Sequence, residues 1–335
     1  MTTGTNTTTT QVRAALERRF GHRAGGGRSD ELDRMNRHAV LGGGKLLRPL
    51  VLLEFGAACG TPAAPLLGAA EAVEVLHSAS LVHDDIIDGD DLRRGRPALH
   101  RAYGTERALV TGDALFFMAF SALTGCVRAG VPAEAVVRAC AMVADTGEEI
   151  SRGVLRELAL SGDWELPPGE GLRMAGQKTG ALLALAAGIG VVLGGGDAPR
   201  LTAATAYGHA LGIAFQLRDD LLPWTTSEAV AGKPAASDLR NRRAAMPLLL
   251  AWQYATPAER ARLTALTADA PLLTDDELLA GAAPVLHRTD ALARTRELAR
   301  AHATAAKYAL TGGFPPCPHR DRLLALTDWA LSRES

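Results

Sequence analysis

Aromatic residues are scarce in this chain of 335 residues, with Phe, Tyr and Trp together only 4%. The core must therefore be built from aliphatic side chains, which are plentiful in a sequence that is 47% hydrophobic. β-Branched runs and strand-like alternation are also weak, and the richness in Ala, Leu and Arg favours helices. Cysteine is limited to Cys59, Cys126, Cys140 and Cys317. No pair has C-x-x-C spacing, which argues against a zinc site and for buried free thiols in a reducing cytoplasm. No charge of one sign dominates: the formal net charge is -1. Nothing electrostatic points to nucleic acid or an anionic membrane, and any phosphate site has to be local. The opening MTTGTNTTTT has neither a basic nor an apolar leader region, so it is not a signal peptide. Residues 1–10 read as a disordered tail. The most apolar stretch, Thr179 to Leu193, falls short of the roughly 20 residues that a membrane span needs. A cytoplasmic protein with no membrane span is expected.

Helical patterning fills the chain. Helices are expected over about Thr10–Arg23, Arg48–Cys59, Pro65–Asp88, Glu106–Arg128, Pro132–Leu160, Gly169–Leu193, Pro199–Leu222 and Ala244–Tyr254, then through most of the rest to Ser332. Pro132 suits a first helical turn, and Pro167-Pro168-Gly169 breaks two apolar patterns. No repeat or composition break separates domains. The expectation is a single all-α domain over residues 11–335, a bundle of long antiparallel helices around a deep central cavity.

The stretch EVLHSASLVHDDIIDGDDLRRG, from Glu74 to Gly95, carries the chemistry. Asp84 and Asp88 are four apart, hence on one face of a helix with Asp85 beside them. Like charges so spaced destabilise a helix by roughly 0.2–0.5 kcal/mol per pair, so the cluster asks for a cation. An all-oxygen donor set suits Mg²⁺ bound jointly by carboxylates, phosphate and water. A solvated helix end is the plain alternative for a bare D-D-x-x-D. Arg93 and Arg94 follow at once, and guanidinium forks beside a carboxylate–metal site suit a diphosphate.

Further candidates lie elsewhere. Gly42-Gly43-Gly44 leads into Lys45 and Arg48, a glycine run entering a helix without the spacing of a nucleotide P-loop. It reads equally as a hinge. His77 is two turns before Asp84 on the same face; a core histidine is the alternative. His83 is structural. Gln216, Asp219 and Asp220 form a second carboxylate segment late in a helix. Lys178-Thr179 sits at the mouth of an apolar helix, where Lys178 could simply snorkel. Gly232-Lys233 and Ser237-Asp238-Leu239-Arg240 follow.

Taken together, EVLHSASLVHDDIIDGDDLRRGRPALH, AYGTERALVTGDALF, the KTG at Lys178, FQLRDD at Phe215 and GK…SDLR…P to Pro247 resemble the trans-polyprenyl diphosphate synthases. The resemblance runs from Gly43 to Arg333. It implies that Asp84, Asp85 and Asp88 bind Mg²⁺ bridged to an allylic diphosphate held by Arg93, Lys178 and Lys233. It further implies a third Mg²⁺ on Asp219 and Asp220, carried by the opposite wall. Lys45, Arg48, His77 and Arg94 would bind isopentenyl diphosphate, and Thr179 and Gln216 would line the space where the carbocation forms. A homodimer through helices near Glu106–Arg128 is implied as well. The chain departs from the family at Pro223, where a third Asp is usual, and at Leu46, Gly153-Val154, Glu157, Arg243 and Ala245. A weakly active or regulatory subunit, and a terpene cyclase or non-standard prenyl transferase, are the alternatives. Retention of Lys45, Arg48, His77 and Arg94 argues against a cyclase. Ala79 and Ser80, small where a short-chain enzyme places an aromatic, disfavour C10 and C15 products. Leu76, Phe116, Phe117 and Phe120 could floor the cavity, and geranylgeranyl diphosphate is the expected product, with a C25–C40 chain as runner-up.

Overall fold

The computed structural model describes residues 3–21, 30–225 and 236–332, with side chains from Thr8 onward. The described residues are all-α apart from one two-stranded hairpin. Contacts divide the chain into two compact units, one of residues 1–146, 182–208 and 309–325, the other of residues 147–181, 209–308 and 326–335.

The first unit is organised around α4 (Ala63–Asp88), against which α1 (Thr3–Phe20), α2 (Glu31–Val40), α3 (Leu47–Ala58) and α6 (Thr105–Thr124) pack. Helix α1 starts at Thr3, so residues 3–10, expected as a tail, are helical. Helix α2 has no counterpart among the expected helices; Asp30 caps it by accepting from the Asp33 N–H at 2.7 Å. Helix α4 is buried along almost its whole length, from Leu66 to Val82. That is why its sequence lacks a clean amphipathic stripe. The few aromatics are concentrated where they fill most volume. Phe55 meets Tyr207 and Phe314 edge-on at 5.3 and 5.1 Å between ring centroids. The buried Tyr207 hydroxyl donates to the Leu323 carbonyl at 2.8 Å, as a buried phenol must.

Gly89 ends α4 in a left-handed C-cap (φ 66°), as the glycine suggests. The chain then forms β1 (Leu92–Arg93) and β2 (Arg96–Pro97), paired Leu92 with Pro97 and Arg93 with Arg96. The two turn residues, Arg94 and Gly95, both have positive φ, 54° and 73°. This is what a two-residue hairpin demands, and glycine supplies it freely while Arg94 does so at a steric cost. Helix α5 (Leu99–Tyr103) connects to α6.

The second unit takes in the C-terminal half of α7 (Ala133–Ala159), α8 (Pro168–Ala175), a π-helical turn at Gly176–Gly180 and most of α10 (Ala198–Thr225). Between the last two, α9 (Ala181–Leu193) runs largely in the first unit. The second unit continues through α11 (Ser237–Arg240), α12 (Met246–Tyr254), α13 (Pro257–Ala268), α14 (Asp275–Arg288) and most of α15 (Ala291–Gly313). The final helix is α16 (Pro318–Ser332). Reciprocal capping boxes start α13 (Thr256 with Glu259) and α14 (Thr274 with Glu277). Arg240 pins α11 by donating to Asp275 and to the Ala270 and Leu273 carbonyls, at 2.8, 2.7 and 2.7 Å.

Among the described residues, two helical runs, Thr105–Val127 and Pro168–Leu193, are long and apolar enough to cross a membrane by length and composition. The second is longer than the apolar stretch alone suggests because the helix begins at Pro168. Most of its apolar window, 78%, is buried inside the protein, as in a core helix.

Candidate active site

The last turn of α4 separates its three aspartates. Asp85 is buried and faces Arg93 of the hairpin, whose Nε donates to its Oδ1 at 2.8 Å, with Nη2 on the same oxygen. Arg93 also approaches Asp90, at 3.5 Å. Asp84 and Asp88, one turn apart and beside Asp85, are only half-buried. Asp91 lies beyond the helix and pairs with Arg101 instead. His83 points to α6: it lies over Gly112, stacks at a tilt on Phe116 (5.6 Å) and reaches Asp113 at 3.4 Å.

A second group gathers round the start of α3 and the middle of α4, all in the first unit. Lys45 is exposed and Arg48 half-buried. Leu46, between Lys45 and the first residue of α3, is buried in a left-handed conformation (φ 52°). His77 is pushed well below its ordinary pKa by burial and by Arg48, Arg94 and Arg93, so it stays neutral. Arg94 is lowered by burial of its guanidinium, with Glu74 opposing. Glu74 is not among the candidates that spacing suggests, although an acid inside an apolar helix is a signal in itself. It is 3% exposed, and its pKa is raised by burial against the pull of Arg48, Arg94 and Arg13.

The second carboxylate segment lies in the second unit. Thr179, in the π-helical turn, donates to Gln216 Oε1 at 2.8 Å, and Gln216 Nε2 donates to Asp220 Oδ1 at 2.9 Å. The other Asp220 oxygen accepts from the Met246 N–H at 2.9 Å. Burial, then Asp238, push the Asp220 pKa up to about 7, against these hydrogen bonds. The turn and α10 are in backbone contact: a Cβ on Gly212 would lie 2.5 Å from the Gly180 Cα. Lys178 Nζ is paired with Glu157. Pro223 lies inside α10 and cannot donate the helical hydrogen bond to the Asp219 carbonyl. Lys233 lies outside the described residues.

Among the described residues, no three His, Cys, Asp or Glu side chains converge as a ready-made metal cage. Asp84 and Asp88 offer two carboxylates one turn apart, and Mg²⁺ is commonly held by one or two carboxylates with substrate phosphates and water.

The residues expected to limit the cavity divide. Leu76 and Ala79 are buried in α4, and Ser80 bonds back to the His77 carbonyl at 2.8 Å. Phe116 is half-buried against His83, and Phe120 is half-buried. Phe117 is not a cavity residue in this chain: it is 75% exposed. The reason is helical phase. Position 117 falls on the outward stripe of α6 with Leu109, Val110 and Asp113, whereas Leu115 and Ala119 face inward.

Residues 29–277 match the family model for polyprenyl synthetase. The chain belongs to that family. It is a prenyltransferase of isoprenoid synthesis. It is 32% identical to a short chain isoprenyl diphosphate synthase of Methanothermobacter thermautotrophicus over 305 residues, 91% of each chain. It is 33% identical to a geranylgeranyl diphosphate synthase of Methanosarcina mazei, covering 92% of this chain and 91% of the relative. Among solved structures, polyprenyl synthase from Caulobacter crescentus, complexed with calcium and isoprenyl diphosphate, superposes with TM-score 0.86. That pair is 30% identical and covers 98% and 96% of the two chains. The family uses divalent metal, and its substrates are allylic diphosphates and isopentenyl diphosphate. The matched region spans both carboxylate segments and the Lys178-Thr179 turn, so the departures at Pro223, Leu46 and Glu157 sit inside a family member. Leu46 fills a buried position and Glu157 is the partner of Lys178, which accounts locally for both.

Proposed function

We propose that this enzyme, one domain over residues 11–335, condenses an allylic diphosphate with isopentenyl diphosphate in a Mg²⁺-dependent reaction whose main product is geranylgeranyl diphosphate. The observation that carries the reading is the split at the end of α4: Asp85 is buried and committed to Arg93, while Asp84 and Asp88, one turn apart beside it, are half-buried. On this reading Asp84 and Asp88 take metal directly. Asp85 acts by fixing Arg93, which holds the allylic diphosphate together with Lys178 and Lys233. Asp219 and Asp220 take the third of three Mg²⁺ ions, with Gln216 and Thr179 orienting Asp220. Bound Mg²⁺ supplies charge neutralisation at the leaving diphosphate. Lys45, Arg48, neutral His77 and Arg94 bind isopentenyl diphosphate, whose double bond attacks the allylic carbon as its C–O bond breaks. Apolar walls exclude water from the cation, and the lost proton passes to the released diphosphate.

The small residues Ala79 and Ser80 support a C20 product, with Leu76 and Phe116 as the floor. The test is mass analysis of products from isopentenyl diphosphate with C5, C10, C15 and C20 primers. Accumulation of C20, shortened by Ala79→Phe, is expected. A cyclic hydrocarbon formed without isopentenyl diphosphate, or no activity without a partner chain, would overturn the reading. A cytoplasmic location goes with it, supported by four free thiols. A homodimer is part of the same proposal. Its support is the outward apolar stripe of α6, with Leu109, Val110 and Phe117 at 50%, 62% and 75% exposed. A monomer by light scattering at micromolar concentration would remove it.

A further inference from the structure

The hairpin after α4 is too short to hold itself together. Each strand has two residues, and the tip keeps Arg94 and Gly95 at positive φ. An isolated two-stranded ribbon is at best marginally stable in water, so this one takes its pose from what it touches. Its base is closed by the Ala98 N–H, which donates to the Asp91 carbonyl at 2.9 Å. Arg93 fastens it to Asp85 of α4. A second side-chain anchor is His38, in the last turn of α2. His38 Nε2 lies 2.8 Å from the Pro97 carbonyl oxygen, and Arg96 Nη2 lies 3.3 Å from His38 Nδ1. A carbonyl only accepts and a guanidinium only donates. One neutral tautomer therefore satisfies both contacts: Nε2–H donates to Pro97, and Nδ1 accepts from Arg96. Tyr103 of α5 meets the His38 ring edge-on at 5.7 Å between centroids. Helix α2 is itself secured, since Arg37 Nε donates to the Phe20 carbonyl at 2.9 Å and Arg107 of α6 pairs with Glu31 at 2.9 Å. The hairpin arginines also lie against the glycine run: a Cβ on Gly42 would be 3.6 Å from Arg96 Nη1, and one on Gly44 2.9 Å from Arg94 Nη1.

Arg93 is at once an anchor of the hairpin and a ligand of the allylic diphosphate, so its bond to Asp85 is shared when substrate arrives. The His38 anchor uses a backbone carbonyl and Arg96, neither of which the substrate sites require. We propose that His38 is a positioning residue for both diphosphate sites: it seats the hairpin on α2 so that Arg93 and Arg94 are preset before either substrate binds. This rests on the reading of Arg93 as a ligand of the allylic diphosphate and of Arg94 as a ligand of isopentenyl diphosphate. A hairpin already ordered spares each substrate the entropy of ordering it. Once both diphosphates are bound they hold the two arginines themselves, so the effect falls on binding and not on the chemistry of the bound complex.

Steady-state kinetics with each substrate varied separately, alongside melting temperatures, tests this. His38→Ala should raise KM for both substrates about fivefold, with kcat at saturation within about twofold of wild type. His38→Gln keeps a donor within reach of the Pro97 carbonyl and should recover most of the loss. Arg96→Ala removes the second contact and should raise both KM values about threefold. Unchanged KM values in His38→Ala overturn the proposal. So does a rise confined to one substrate, which would mean that the two arginines do not share one seat. A fall in kcat that tracks the melting temperature, with KM unmoved, also overturns it, because that marks a general structural role. If His38→Ala does not fold, the exposed Arg96 decides, and unchanged KM values in Arg96→Ala overturn the proposal. A wild type that consumes isopentenyl diphosphate, together with insensitive variants, sinks only this proposal. A wild type that does not consume isopentenyl diphosphate sinks the functional reading with it.

Discussion

The two carboxylate segments hold their acids by different means. At the end of α4, Asp85 is matched by a guanidinium, that of Arg93 on the next element. On α10, the donors to Asp220 among the described residues are neutral, the Gln216 amide and the Met246 backbone N–H, and its pKa is pushed up to about 7. Hydrogen bonds to a carboxylate favour its charged form, but here burial and Asp238 outweigh them. The buried acid of the first segment is thus matched by a guanidinium, whereas burial of the second favours its protonated form. A ligand brought to Asp220 must compete with a proton. A ligand brought to Asp84 and Asp88 meets a helix end whose neighbouring acid is already engaged.

The largest expected effect lies in the first segment. Asp84→Ala should cut turnover by about a thousandfold or more, since stabilising the leaving group is the main electrostatic contribution. Product formation under single-turnover conditions reads this directly, and retention of a tenth of the activity would put the metal elsewhere. The second segment should be more sensitive to its scaffold than to charge. Gly212→Ala forces a Cβ to within 2.5 Å of Gly180 Cα, and backbone cannot yield as a flexible side chain would. A loss of roughly 1–3 kcal/mol in urea unfolding is expected, together with reduced turnover as Thr179 and Gln216 move apart. Unaltered stability would mean that the two helices can separate without cost.

A subtler contrast concerns pH. His77 is held neutral in the folded chain, its pKa far below the ordinary 6.5. The unfolded chain then binds the extra proton. This contribution is fully present above pH 6.5 and is lost as pH falls below it. His77→Gln should flatten the decline in melting temperature between pH 6.5 and 5, and curves that stay parallel would sink the account. The smallest effect is expected at Pro223→Asp. It restores a backbone donor near the end of α10 and adds an outer carboxylate, so activity should stay within about threefold of wild type or rise slightly. A folded variant with a tenfold loss would show that the proline itself shapes the second segment.

Much of this was legible in the sequence because it is local. The long helices, the end of α4 at Gly89 and the co-facial Asp84 and Asp88 all follow from helical spacing and one glycine. What escaped depends on contacts distant in sequence or on very short elements. Spacing cannot tell which member of an adjacent pair such as Asp84-Asp85 turns to an arginine. The hairpin has only two residues per strand, too few for alternation to register. Helix α2 hid behind a glycine-rich stretch despite its Asp30 cap. Phe117 was misplaced because a run of Phe116-Phe117 says nothing of helical phase until the neighbour of α6 is known. Glu74 escaped because its burial inside α4 is decided by the helices packed round it, which spacing does not show.

The π-helical turn at Gly176–Gly180 has a further consequence. A π-turn carries one more residue than the α-turn it replaces, and each residue in a helix advances the side chain by about 100°. The insertion lets Thr179 be aimed at Gln216 while α9 keeps the phase its buried face requires. Function and packing are thus decoupled within one continuous helix. Shortening this turn by a single residue would force a choice between them, rotating either the threonine away from α10 or the whole apolar face of α9 out of its seat.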